Sequence, residues 1–192
     1  MTTNIKFAKV RPDAKIPSKR DEDMGFDIYA CFDEDYIVIE PHETKLIPTG
    51  IASACEPNYG FLVFERGSTG SKGIARRCGV IDSGYRNEWF IGLTNTTQKT
   101  LCITKLPNED AKRRYVEDMA NGAKFAHEVV KKMHQEMMEG DADRFVFYPY
   151  TKAIAQALVV PVPKTKVEEI AYEELQNIKS ERGLGALGSS GK

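Results

Sequence analysis

Four segments of the 192-residue chain carry side chains suited to phosphate, metal and water. Met24-Gly-Phe-Asp27 sets a carboxylate beside a glycine, ahead of a strand-like stretch. Glu65-Arg-Gly-Ser-Thr-Gly-Ser-Lys72 follows the apolar run Phe61–Phe64 with a guanidinium, hydroxyls and glycines. Such a loop suits an oxyanion, because glycines let backbone N–H groups approach while arginine and hydroxyls supply charge and donors. The same composition also makes a plain surface turn. Gly79-Val-Ile-Asp-Ser-Gly-Tyr-Arg-Asn-Glu88 places Asp82 after two β-branched residues and before a Ser-Gly turn. That predicts a hairpin tip, where the carboxylate either caps the turn or acts as a base on a rigid support. The fourth segment, residues 182–192, offers Arg182, Ser189, Ser190 and many accessible backbone N–H groups, with no apolar period. Alone it is a floppy tail; around a ligand it could wrap phosphates. It lacks GxxxxGK[ST] spacing and no helix follows, which excludes a P-loop nucleotide triphosphatase.

The elements that must position these groups are mainly short strands. Tyr36–Ile39, Lys45–Ile47, Phe61–Phe64, Trp89–Ile91 and Thr100–Thr104 are rich in β-branched and aromatic residues, with turn residues every 8–12 positions. That spacing predicts a mainly β chain, a jelly-roll-like sandwich or barrel rather than βαβ units. Strand-like sequence returns at Phe145–Tyr150 and Ile154–Val160, while Val167–Lys179 is ambiguous. Between the two β portions, Tyr115, Met119, Ala123, Ala126, Val130, Met133 and Met137 recur every three or four residues. They predict an amphipathic helix from about Asp110 to Glu139, entered at Pro107-Asn108 and left at Gly140, with Gly122 a possible kink. The expected organisation is a β core of residues 1–104 and 145–179, a helical insertion at 105–144, and a Gly/Ser-rich arm at 180–192. The insertion either covers the side of the core or offers a surface to another protein.

Bulk properties narrow the partners. Lys plus Arg, 27, nearly cancels Asp plus Glu, 28, so no global charge draws the chain to nucleic acid or to an anionic membrane. No run of 18 apolar residues predicts a membrane span, and no leader is expected at the start. Cys31, Cys55, Cys78 and Cys102 lie more than twenty residues apart, without the close pairs of zinc sites. Free thiols in a cytoplasmic protein are expected. His127 and His134 fall in the helical segment, away from His42.

Taken together and in order, these segments resemble the five motifs of the homotrimeric dUTP pyrophosphatases. MGFDIYA is similar to the first motif, ERGSTGSKGI to the second, GVIDSGYRNEW to the third, AIAQALVVP to the fourth and RGLGALGSSG to the arm that forms the fifth. IEPHETKLIPTGIA also fits the pattern between the first two. The resemblance spans nearly the whole chain outside about 105–144. It implies hydrolysis of dUTP to dUMP and pyrophosphate, which limits uracil incorporation into DNA and supplies dUMP.

The resemblance also implies roles. Asp82 would activate the attacking water. Mg2+ would sit mainly on the triphosphate, with Asp27 reaching it through water. Arg66, Gly67, Ser68 and Gln156 would bind phosphate, joined by Arg182, Ser189 and Ser190 from a neighbouring copy. The backbone of Gly79, Val80 and Ile81 would read the uracil edge, Tyr85 would pack under the deoxyribose, and Leu187 and Gly188 would close over the nucleoside. The implied assembly is a homotrimer with shared sites. Five positions depart from the pattern: Gly67 stands for a serine, Leu187 for a phenylalanine that stacks on uracil, Arg76 for an asparagine of some bacterial relatives, and Lys152-Ala153 for an acid–base pair. Lost stacking would cost about 1 kcal/mol. Two rivals remain. A dCTP deaminase of the same superfamily would need a glutamate ten residues past Asp82, where this chain has Gly92. A regulatory protein built on the same fold would engage a partner through 105–144.

Overall fold

The computed structural model describes residues 3–77, 79–122, 144–181, 183 and 185. Its strands are short. They are β1 (Lys6–Lys9), β2 (Phe26–Tyr29), β3 (Tyr36–Ile39), β4 (Thr44–Pro48), β5 (Ile51–Ala54), β6 (Tyr59–Phe64), β7 (Ile74–Arg77), β8 (Val80–Ile81), β9 (Phe90–Asn95), β10 (Thr100–Thr104), β11 (Phe145–Pro149) and β12 (Ala153–Pro161). Three helices accompany them: α1 (Gly67–Gly70), α2 (Asn108–Gly122) and α3 (Tyr172–Asn177). The strands form four sheets ordered β1-β5, β11-β10-β3, β2-β12-β6-β8 and β4-β9-β7. This is the mainly β architecture expected, and every strand named from the sequence is present to within a residue or two except Trp89–Ile91, where the observed β9 runs on to Asn95.

Large apolar side chains from most of the strands close one core. Ile28, Ile39, Ile47, Phe61, Val63, Ile91, Leu93, Leu101, Ile103 and Ile154 point inward and are almost fully buried, and each such side chain removed from water contributes about 1.5–3 kcal/mol. Trp89 is fully buried and meets Phe61 edge-on at 5.0 Å and Phe7 at 5.9 Å. This aromatic cluster includes Phe61 of β6, and candidate site residues lie near both ends of that strand.

The segment 105–144 joins two parallel neighbours, since β10 pairs with β11 from Thr100↔Phe145 to Thr104↔Pro149. A parallel pair demands a long crossover, so some connection here is a topological requirement. Its described first half packs on the sheet. Ala111 and Val116 are buried, Tyr115 stacks edge-on to Phe145 at 5.5 Å, Tyr36 Oη donates to Asp118 at 2.7 Å and Tyr115 Oη donates to Glu40 at 2.8 Å. Helix α2 begins where Pro107-Asn108 predicted, with Glu109 and Asp110 in its first turn, where the helix dipole favours acids. The rest of the expected helix, including Gly140, lies outside the described residues.

Residues 1–162 form one compact unit and 163–192 a second. In the second, the ambiguous stretch resolves into the six-residue α3, which leaves Tyr172, Leu175 and Ile178 exposed. Among the described residues no helix is long and apolar enough to cross a membrane.

One expectation changes. Asp82 is not at the tip of a β-hairpin: β8 has two residues and pairs with β6, whereas β9 pairs with β4 and β7 in another sheet. Residues 82–89 therefore cross between sheets. The apolar run at Val80-Ile81 is too short to extend a ladder, and Phe90 onward has two better partners.

Candidate functional site

The registers of the four-stranded sheet set the geometry. Gln156 of β12 stands opposite Asp27 of β2 on one side and Phe64 of β6 on the other. Asp27 therefore lies within a strand rather than ahead of one. Just past Phe64, Arg66 reaches back across this rung. Its Nε meets Asp27 Oδ1 at 2.8 Å, its Nη2 donates to Asp27 Oδ2 at 3.3 Å, and its Nη1 donates to Ser68 Oγ at 3.3 Å. The backbone that carries Arg66 is locked locally: its N–H donates to Thr69 Oγ1 at 3.0 Å, and Thr69 N–H and Oγ1 each donate to Arg66 O at 3.0 Å. Thr69 is buried, so this turn is a rigid support. Gln156 Nε2 donates to Glu65 O at 2.8 Å, which leaves Oε1 against Gly25. A Cβ at Gly25 would fall 2.8 Å from that Oε1, so the site needs a glycine there. Asp27, Arg66, Gly67, Ser68 and Gln156 thus converge at one end of β6. Gly25 makes room for the Gln156 side chain, a constraint whose sequence signal was the glycine near a candidate carboxylate.

Glu65 faces away from this cluster. Its Oε1 accepts from Arg76 N at 2.9 Å, and that bond from the backbone, more than any charge, holds its carboxyl below the usual range.

A second cluster forms at the other end of β6. Phe61 pairs with Ile81, and the exposed Asp82 follows directly. Val80, Ile81, Asp82 and Tyr85 line a cavity of ≈ 320 Å³ with Leu46 and Phe90. The turn is braced from outside. Arg86 Nη1 donates to the carbonyls of Ser83 at 2.5 Å, Tyr85 at 3.1 Å and Ser53 at 3.3 Å, and Tyr85 Oη donates to Glu88 O at 3.1 Å. Glu88 in turn accepts from Gly50 N at 2.8 Å and pairs with Arg11 at 3.3 Å. Gly79 sits at the root with its carbonyl on Val63 N–H at 2.7 Å, and a Cβ there would meet the Arg76 guanidinium at 2.4 Å.

The two clusters do not meet within one chain. Asp82 is four residues along β6 from the rung of Asp27, about 13 Å, and three strand spacings across, about 14 Å, which puts the two backbones about 19 Å apart. A base must come within hydrogen-bond reach of the proton it takes, directly or through one water. The arrangement can hold an anion at one end and a planar ligand beside a carboxylate at the other. Arg182, Leu187, Gly188, Ser189 and Ser190 lie outside the described residues.

Metal ligation is limited. Among the described residues no group of three or more His, Cys, Asp or Glu side chains could hold an ion. Both oxygens of Asp27 already face Arg66. The described residues therefore give magnesium no cage of their own.

The dUTPase family model matches residues 13–106, which contain both clusters except Gln156. The deoxyuridine 5'-triphosphate nucleotidohydrolase of Leptospira interrogans is 34% identical over 99 residues, which are 50% of this chain and 68% of that protein. The chain belongs to the dUTPase family. A second relative, the enzyme of the same name from Nautilia profundicola, is 28% identical over 196 residues, covering 98% of this chain and 99% of that one, so the likeness extends through 105–144. Among solved structures, the Staphylococcus bacteriophage 80alpha dUTPase with dUpNHpp superposes with a TM-score of 0.66 at 18% identity over 100% of both chains. The dUTPase of equine infectious anaemia virus gives 0.55 at 18% identity, over 88% of this chain and 98% of that one. These two share the fold. A structural Mg(II) ion is coordinated in the dUTPase of phage phi11 of S. aureus.

The deaminase alternative fails on geometry as well as on residue type. Gly92 lies in the middle of β9 between Leu46 and Arg77, and a Cβ there would stand 2.9 Å from Arg77 O. No catalytic side chain fits at that position.

Proposed function

We propose that this chain hydrolyses dUTP to dUMP and pyrophosphate, in sites assembled from separate copies of itself. The observation that carries this reading is the split of the site along β6. One end offers an arginine, a serine and a glutamine for phosphate beside Asp27, and the other a carboxylate in a nucleoside-sized cavity, with the backbones of Asp27 and Asp82 about 19 Å apart. Packing a second copy against the first brings Asp82 of one to Arg66 of the other. A homotrimer with three such sites closes the arrangement without leaving an unpaired surface.

Each residue then has a chemical task. The backbone from Gly79 to Ile81 pairs with the edge of uracil. Cytosine would present a donor where the site offers one, leaving buried groups unpaired. Tyr85, held by its bond to Glu88 O, fills the space that a 2′-hydroxyl would need. Asp82 takes a proton from water as its oxygen bonds to the α-phosphorus. The bond from that phosphorus to the bridging oxygen breaks, and pyrophosphate leaves with the electron pair. Arg66, Ser68 and Gln156 bind the phosphate oxygens and stabilise the charge that builds there. Magnesium, when bound with the substrate, would supply further neutralisation of that charge. Arg182, Ser189 and Ser190 close over the β- and γ-phosphates from a neighbouring copy. The chain acts in the cytoplasm, where Cys31, Cys55 and Cys102 stay as free thiols.

The test is hydrolysis of dUTP in 18O-enriched water with analysis of both products. The label is expected in dUMP. Label in pyrophosphate would place the attack on the β-phosphorus and contradict the assignment of Asp82.

A further inference from the structure

One side chain that takes no part in the reaction holds the turn that carries Tyr85. Residues 82–89 cross between two sheets, so no strand ladder fixes them. The ends of the turn are secure. Before Asp82, Ile81 pairs with Phe61. At the far end, Glu88 Oε1 accepts from Gly50 N at 2.8 Å, Trp89 N donates to Ile51 O at 2.8 Å, and Trp89 O accepts from Thr49 Oγ1 at 2.7 Å. The middle depends on Arg86. Its Nη1 shares two N–H donors among the carbonyls of Ser83, Tyr85 and Ser53, at 2.5, 3.1 and 3.3 Å. Among the described residues, the bond to Ser53 of β5 is the one hydrogen bond that ties residues 83–87 to another element.

Tyr85 is 38% exposed, so packing alone does not fix its ring. Three bonds place it: its N–H donates to Asp82 O, its carbonyl accepts from Arg86 and its Oη donates to Glu88 O, each at 3.1 Å. The first and third lead to the secured ends, and the second is Arg86's own. We infer that Arg86 is a positioning residue for the choice of sugar: it holds Tyr85 so that a ribose 2′-hydroxyl finds no room. This rests on the dUTP reading of the site. An apolar wall rejects an added hydroxyl by only about 10²-fold, so one that can step back by the width of an oxygen loses much of that factor. Freed from Arg86, the carbonyls of Ser83 and Tyr85 turn to water, and the ring swings about its anchor on Glu88. Asp82 stays with the β6–β8 rung, so chemistry on dUTP suffers less than the choice between dUTP and UTP.

The experiment measures kcat and KM for dUTP and for UTP by pyrophosphate release from the full chain with magnesium. The proteins are the unsubstituted chain, Arg86→Met, Arg86→Lys, Tyr85→Ala and the double variant Tyr85→Ala/Arg86→Met. Arg86 is exposed, so thermal melts of its variants are expected to match the unsubstituted protein. Arg86→Met keeps the length and drops the donors; it is expected to lower the dUTP-to-UTP ratio of kcat/KM about tenfold, mainly by a gain on UTP. Its kcat on dUTP is expected to stay within about threefold. Arg86→Lys, whose ammonium still serves a carbonyl, is expected to lose only part of the ratio. In the Tyr85→Ala background, where the wall is gone, Arg86→Met is expected to change the ratio by less than about twofold. Equal losses on both substrates, a fall undiminished in the Tyr85→Ala background, or folded Arg86→Lys with the full original ratio would each overturn the proposal. No hydrolysis of dUTP by the folded unsubstituted chain would refute the underlying dUTP reading and remove the proposal with it.

Discussion

If each catalytic site takes its base from one copy and its arginine from another, as proposed, two impaired variants mixed together should regain activity. Asp82→Asn removes the base and should lower turnover by about 10²–10⁴. Arg66→Gln removes a charge-assisted bond of about 1.5–3 kcal/mol, a loss of roughly 10- to 150-fold. The backbones at Asp27 and Asp82 lie about 19 Å apart, which argues for sites completed by a second copy. If the two variants are co-folded in equal amounts, a given site draws Asp82 from an Arg66→Gln chain half of the time. It draws Arg66 from an Asp82→Asn chain half of the time as well. About one quarter of the sites are then fully intact, whatever the number of copies in the ring. Pyrophosphate release from the mixture, measured against the unsubstituted chain, should reach about 25%, far above either parent. A mixture no more active than the average of its parents, with exchange of copies verified by mass, would refute the shared-site reasoning.

Other perturbations follow from the same geometry. Gly25→Ala places a methyl 2.8 Å from Gln156 Oε1 and must displace that side chain; kcat/KM should fall about tenfold, the scale of one lost hydrogen bond, with little change in the melting temperature. Burial pushes the Cys102 thiol up to about 12. In native protein at pH 8 only about one Cys102 in 10⁴ is thiolate, so alkylation should spare it until the chain unfolds. Because its folded pKa is raised, its contribution to stability is full below its ordinary value of 9.0 and is lost as pH climbs towards 12. Replacing 107–143 needs a linker that returns along the whole length of β10, about 16 Å. With eight or more flexible residues, dUTP hydrolysis should stay within tenfold, while a two-residue linker should unfold the β10–β11 pair, as far-ultraviolet dichroism would show.

Much of this was legible in the sequence where side chains are large and periodic. Thr100–Thr104 alternates small and bulky residues and forms β10 with those bounds. Strands made of small or charged residues, such as β1 Lys-Phe-Ala-Lys and β7 Ile-Ala-Arg-Arg, carry little signal, because partners on neighbouring strands stabilise them more than local preference does. Asp27 reads as a residue ahead of a strand since aspartate is a poor strand former, yet its place in β2 is what aims it at Arg66. The hairpin expected at Asp82 failed for a long-range reason: Phe90 onward pairs with β4 and β7 instead of β8. The parallel pairing that makes 105–144 a crossover is likewise a matter of distant register. Motif order suggested which residues serve the site. Only the registers show that they fall at opposite ends of one strand.

The most direct measurement of the central claim is pyrophosphate release from dUTP, dCTP, dTTP and UTP, each with magnesium and with EDTA. Rapid release from dUTP, strongest with magnesium, and little from the other three is the expected result. Comparable release from UTP or dCTP, ammonia from dCTP, or no release from dUTP by the folded protein would contradict the account.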